Sequence, residues 1–231
     1  MAYDEPEAII FLIDNSDTSI NGDFDPSRLD AQKLACERLA SYNLKQSPQT
    51  EIAIGSIGSE CFGIQQSLLN TTSKLHKTFD KIYPGGEALV TKGLLCAMLA
   101  LKYASRFITS KRIVLFLGSK NNLTNDEAKN IIEKANDDNI SIDIIAFGTE
   151  VDKLGVLEMI TRYTYSESFY IRIRNSHNIL SDSVLSSVLG PGSSQNQPEM
   201  FEEDDELAAA IKASLEDSDD NDFYNTNEEI I

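Results

Sequence analysis

Three oxygen-bearing side chains stand at alternate positions just after the first apolar run: Asp14, Ser16 and Thr18, in the turn Asp-Asn-Ser-Asp-Thr-Ser-Ile-Asn-Gly. A carboxylate and two hydroxyls spaced this way can converge on a hard divalent cation such as magnesium, which prefers oxygen ligands. A carboxylate that ends a strand could also act as a nucleophile in phosphoryl transfer. The plainest role is structural, with Asp14 tying down its own loop. Ser119 closes a later apolar run and could stand beside this group. The histidines, His76 and His177, are remote from any Ser, Cys or carboxylate set suited to nucleophilic catalysis, and both read as surface residues. Cys36, Cys61 and Cys96 show no paired spacing, and their odd number argues against a disulfide framework. Cys36 and Cys96 lie in apolar helical patterns, so buried free thiols are expected there.

A second stretch, residues 201–217 (FEEDDELAAAIKASLED), has a different chemistry. On a helix turning about 100° per residue, Leu207, Ala210, Ile211 and Ser214 share roughly a third of the circumference. That makes a narrow apolar stripe with a small alanine at its centre and acids at both ends. The acids of residues 202–206 suit a helix N-terminus, whereas Glu216 and Asp217 stand at the end the dipole disfavours. A helix of about 15 residues is marginal alone in water. The stretch therefore reads as a helix that completes its folding in a partner's groove, its acids facing a basic rim.

The elements needed to hold these groups can be read from periodicity. Residues 8–13 form a continuous apolar run that stops at Asp14, as a strand buried on both faces does. Asp25 reads as an N-cap with Pro26 at the first helical position of the next helix. Residues 51–57 and 61–68 are strands joined too closely for anything but an antiparallel hairpin. A short helix over 73–83 ends at Pro84-Gly85-Gly86, and a long one covers 89–105. Residues 112–117 and 140–147 are buried strands. Thr124 with Glu127 makes a capping box for the helix between them. A helix over 153–163, an edge strand over 168–174 and a helix over 180–189 complete the series. The alternation predicts an α/β fold: a mostly parallel, doubly wound sheet with one antiparallel edge hairpin. A flexible linker (191–200), the helix of residues 201–217 and an acidic disordered tail (218–231) are expected after a domain spanning 1–190.

Charge is unevenly spread. Of 37 acids and 20 bases, residues 199–231 hold 13 acids and a single base, leaving the rest of the chain near −5. No basic face exists to displace counterions from a phosphate backbone, so nucleic acid is excluded as a partner. No apolar run approaches the roughly 20 residues of a membrane span, and the start lacks the flank and core of a signal peptide. A cytoplasmic and nuclear protein without a membrane role is expected.

Several resemblances attach to these residues. The turn holding Asp14 lacks a glycine-rich phosphate loop, and the order Lys92-Gly93 is the reverse of that loop's, which sets a nucleotide site aside. Asp14 with Ser119 resembles the haloacid-dehalogenase superfamily, which would imply a phosphohydrolase using Asp14. In that family a general-acid Asp stands where this chain has Ser16, a poor proton donor near neutral pH. Asp14, Ser16 and Thr18 also resemble the metal-binding turn of von Willebrand factor A-type domains. Alignment with that family puts Ala88 and Ser119 at its remaining ligand positions, so the resemblance implies a degenerate site with no metal and no cofactor. Asp14 then stands as a candidate for partner docking.

Residues 203–217 resemble the ubiquitin-interacting motif. The resemblance implies apolar contacts from Leu207, Ala210, Ile211 and Leu215, a hydrogen bond from Ser214, and electrostatic contacts from Glu203, Asp204 and Asp205. Residues 13–32, the Pro-Gly-Gly-Glu-Ala run of 84–88 and this helix, in that order, are similar to the ubiquitin receptors of the proteasome regulatory particle. The most specific part is the Asn-Gly-Asp-Phe-Asp-Pro-Ser-Arg run of 21–28. The likeness implies a non-catalytic receptor docked on regulatory-particle subunits and capturing ubiquitin and polyubiquitin chains. A ubiquitin-binding shuttle or endocytic adaptor not bound to the proteasome is the other binder the same helix allows.

Overall fold

The computed structural model describes residues 5–164, 168–173 and 179–189, all within the first of two units into which the chain divides, Met1–Pro191. The expected linker, the helix of 201–217, the tail and His177 lie outside the described residues.

Six strands form one sheet in the order β3-β2-β1-β4-β5-β6, where β1 is Glu7–Ile13, β2 Glu51–Ser56, β3 Gly63–Leu69, β4 Ser110–Leu117, β5 Ile140–Phe147 and β6 Tyr170–Ile173. All neighbouring pairs are parallel except β2 with β3, the expected edge hairpin. β1 after Glu7 and the C-terminal halves of β4 and β5 are unbroken apolar runs because helices cover both faces. Along β1, Ala8, Ile10 and Leu12 point to one layer, while Ile9, Phe11 and Ile13 point to the other. The first layer is closed by α3 (Val90–Leu101), α4 (Asn125–Asp137) and α5 (Leu154–Tyr163). The second is closed by α1 (Arg28–Gln46), the short α2 (Leu75–Phe79) and α6 (Leu180–Leu189).

Two local expectations need correction. Helix α1 begins at Arg28, capped by Ser27, whose hydroxyl accepts from the Asp30 N–H; Asp25 and Pro26 precede it in the loop, joined by a cis peptide bond. Cys36 is buried, but Cys96 is only half-buried, and the second buried thiol is Cys61. The reason is rotational. Helix α3 lays Gly93, Leu94, Ala97, Met98 and Leu101 on the sheet, which leaves Cys96 on its flank. The capping box at Thr124 and Glu127 forms as expected, and its hydrogen bonds hold the Glu127 carboxyl below the usual carboxylate range.

Candidate functional site

Strands β1 and β4 run side by side, and their successors diverge to opposite edges of the sheet. This is the switch point at which open α/β sheets gather function, beyond the C-terminal ends of the strands. Asp14 sits there, 1% exposed. One carboxylate oxygen, Oδ1, accepts from the Ser16 N–H at 3.0 Å and the Ser16 hydroxyl at 2.6 Å. The other, Oδ2, accepts from the Gly118 N–H at 2.9 Å and the Ser119 hydroxyl at 2.6 Å. A carboxylate offers about four lone-pair sites, so four protein donors saturate it. Thr18 stands next in line, its hydroxyl 3.3 Å from that of Ser16.

The neighbouring side chains extend the same closure. Buried Gln32 of α1 clasps residue 14 from both sides, accepting from its N–H and donating to its C=O, each at 2.9 Å. Asn15 accepts from the Gly58 N–H at 2.6 Å and donates to the Tyr83 and Cys61 carbonyls at 2.9 and 3.2 Å. Gly58 must lack a side chain, because a Cβ there would lie 2.7 Å from the Asn15 carbonyl oxygen. The Pro84–Ala88 loop is stitched on by the Gly85 N–H to the Asn15 carbonyl at 2.8 Å and by Asp17 to Gly86 through main chain and side chain.

Arg28, 1% exposed, closes the other half of this crown. Its fork holds Asp23 bidentately at 2.6 Å, donates to the Gly118 carbonyl at 2.7 Å and pairs with Glu150. Gly148, at φ +77°, passes so close that a Cβ would meet the guanidinium at 2.8 Å. Phe24 packs edge-on against Phe147 with ring centroids 5.4 Å apart. The run of residues 21–28 is thereby explained as a clasp: Asp23 and Arg28 form the lock, Phe24 the wedge and Ser27 the helix cap.

This arrangement does not fit a divalent cation. Among the would-be ligands Asp14 is the lone carboxylate, each of its oxygens already accepts two hydrogen bonds, and the Ala88 side chain has no donor atom. Asp14 is also only 1% exposed. Asp14 as a docking residue would act by shaping the loops around it, being itself buried. Sequence reasoning placed Asp14, Ser16, Thr18 and Ser119 together correctly but missed Asn15, Gln32 and Arg28. Asn15 sits in a polar turn and Gln32 and Arg28 in a helix rich in polar residues, so their types carry no local signal of burial. His76 is exposed, with Glu37 at 3.1 Å. Among the described residues no cluster of three or more His, Cys, Asp or Glu could hold a metal ion, and no helix is long and apolar enough to cross a membrane. Residues Glu203, Asp204, Asp205, Leu207, Ala210, Ile211, Ser214 and Leu215 lie outside the described residues.

Fold and crown together define a von Willebrand factor A-type domain, and residues 9–121 match the family model described as von Willebrand factor type A domain. The crystal structure of the SpRpn10 VWA domain superposes with a TM-score of 0.74 at 28% identity, covering 81% of this chain and 98% of that one. The 26S proteasome regulatory subunit rpn10 of Schizosaccharomyces pombe is 33% identical over 218 residues, covering 90% of this chain and 88% of that protein. The 26S proteasome non-ATPase regulatory subunit 4 of Dictyostelium discoideum is 29% identical over 201 residues, covering 86% of this chain but 58% of that longer protein. The chain belongs to the family of the 26S proteasome regulatory subunit rpn10.

Proposed function

We propose that the chain is a non-catalytic ubiquitin receptor of the 26S proteasome regulatory particle. Residues 1–190 dock as the A-type domain, and residues 201–217, reached through the linker at 191–200, capture ubiquitin on substrates. The observation that carries this reading is the reach of the likeness to rpn10: at 90% of the chain it exceeds what residues 1–190 supply, so it continues into the acidic segment. The regulatory, non-ATPase naming of the relatives and the engaged oxygens of Asp14 support a role without catalysis.

In this reading Leu207, Ala210, Ile211 and Leu215 contact ubiquitin's apolar surface, Ser214 hydrogen-bonds across the contact, and Glu203, Asp204 and Asp205 meet its basic rim. One narrow helix buries little area. Affinity for a single ubiquitin is therefore weak, on the order of tens to hundreds of micromolar, and chains gain by avidity and effective concentration. The test is Ala210→Trp in the full chain. A bulky ring at the centre of the stripe blocks close approach, so ubiquitin binding measured by titration should fall at least about tenfold while the unfolding midpoint stays put. Unchanged binding would defeat the site assignment. Co-purification with the regulatory particle from cell lysate should persist in the variant. Ubiquitin binding by the parent chain without such co-purification would instead identify a shuttle or endocytic adaptor.

A further inference from the structure

Helix α3 ends at Leu101, but its winding continues one turn further: the Lys102 and Tyr103 N–H groups donate to the Leu99 and Ala100 carbonyls at 3.2 and 3.0 Å. A second turn follows, closed by the Ile108 N–H on the Ser105 carbonyl at 2.9 Å. Leu101 and Ile108 are buried, and Ala104 packs partly buried against the same core. Anchors three and four residues apart turn what lies between them outward. There stand Leu99, Tyr103 and Phe107, 59%, 83% and 60% exposed, with exposed Lys102 and Arg106 among them. β4 starts at Ser110, so this stripe lies at the end of the sheet opposite the crown. In a chain of 37 acids none falls between Glu87 and Asp126, whereas six bases do. Lys102 pairs with Asp138 at 3.3 Å. Glu51 accepts from the Ser105 N–H at 3.1 Å and from the Ser105 hydroxyl, which pins the segment to β2. Arg106 has no carboxylate partner among the described residues.

We propose that this stripe is the surface by which residues 1–190 dock on the 26S regulatory particle, against a subunit face that sets a carboxylate among apolar side chains; this rests on the proteasome reading above. Lone exposed apolar residues are ordinary, but three within nine residues on one side of the chain mark a contact surface. Aromatic residues and arginine are the types enriched where proteins meet. The mixture sets the partner's chemistry. A bare phosphate anion would leave Leu99, Tyr103 and Phe107 in water, and a wholly apolar groove would desolvate Arg106 without replacing its hydrogen bonds. A carboxylate takes the planar guanidinium fork bidentately, and apolar neighbours cover the rings beside it. Because Glu51, Leu101 and Ile108 hold the segment in place, little backbone freedom is lost on binding.

The test is the affinity of the full chain for 26S proteasomes prepared from cells of its own source that lack it, with ubiquitin titration and the unfolding midpoint as controls. Tyr103→Ser combined with Phe107→Ser, and separately Arg106→Glu, should each weaken binding at least about tenfold, as loss of anchor residues does. Both controls should stay unchanged. Thr109→p-benzoylphenylalanine, beside the stripe, should crosslink to a regulatory-particle peptide carrying Asp or Glu between apolar residues. Docking by this stripe is overturned if the parent binds and either folded variant binds equally well. A crosslink to a peptide without an acid, or to none in the regulatory particle, overturns it too. A parent that binds no proteasome would instead refute the proteasome reading itself, and this docking with it. Binding to phosphatidylserine vesicles that both variants lose, with proteasome binding kept, would reassign the stripe to a membrane surface.

Discussion

Single residues carry much of the specificity of this domain, and Arg28 most of all. A guanidinium that is 1% exposed is tolerable only because Asp23, Glu150 and the Gly118 carbonyl take up its donors. Arg28→Met keeps much of the volume but strands Asp23 in a half-closed site. It should cost about 3–5 kcal/mol, the usual loss when one partner of a buried pair is removed; urea unfolding measures it, and a loss under about 0.5 kcal/mol would show that the clasp contributes little. Asp143 gives a prediction of opposite character. Burial pushes its carboxyl up to about 6 against the pull of Arg112 from β4, and the charge of Glu7 on β1 adds to the rise. A carboxyl raised in this way costs stability when ionised, and the cost is relieved as pH falls through about 6 toward its unfolded value near 4. Relative to Asp143→Asn, the parent chain should therefore gain roughly 1–2 kcal/mol between about pH 7 and pH 4.5, read from urea unfolding at the two pH values. A constant gap would refute the assignment. Little of this was legible in the sequence: Asp23 is five residues from Arg28, but the other partners of Arg28 arrive from residues 90 and 122 positions away. Only the packed sheet brings Gly118 and Glu150 to the same point.

Elements were far more legible than their joints. The run 8–13 is apolar throughout and 140–147 is broken only by Ser141 and Asp143, and a strand covered on both faces is what such a run can become. The hairpin of β2 and β3 could be read from chain length alone, since no crossover fits in so few residues. Helix starts were harder. Asp25-Pro26 and Ser27-x-x-Asp30 offer competing caps within three residues, and the outcome depends on where the Asp23–Arg28 clasp anchors the backbone. Ser27→Ala should cost about 1 kcal/mol and Asp25→Ala only a few tenths, both from unfolding curves; equal effects would return the cap to Asp25. Rotation of a helix about its own axis was the other blind spot, as Cys96 illustrates. Of the site, Asp14, Ser16, Thr18 and Ser119 were found because alternation and strand ends are local signals. Asn15 and Gln32 were not, because a buried amide declares itself only through backbone groups distant in sequence that need a partner.

At the scale of the whole molecule, a domain of near-average surface precedes a strongly acidic segment, and the proposed function gives the two separate tasks. The domain's own contribution depends on how its crown is held shut. Where four internal donors already satisfy the central carboxylate, the loops owe their shape to covalent sequence and not to anything the surrounding fluid supplies. Stripping divalent ions with EDTA, or flooding the protein with magnesium, should move its thermal midpoint by less than about 1 °C, well under the roughly 2–4 °C that 1 kcal/mol produces in a chain of this size. A larger magnesium-dependent rise would mean that the ion can displace Ser16 and Ser119 after all. A turn that depended on an ion could be opened and shut by its medium; this one is latched by groups of the chain itself, Ser16, Gly118 and Ser119.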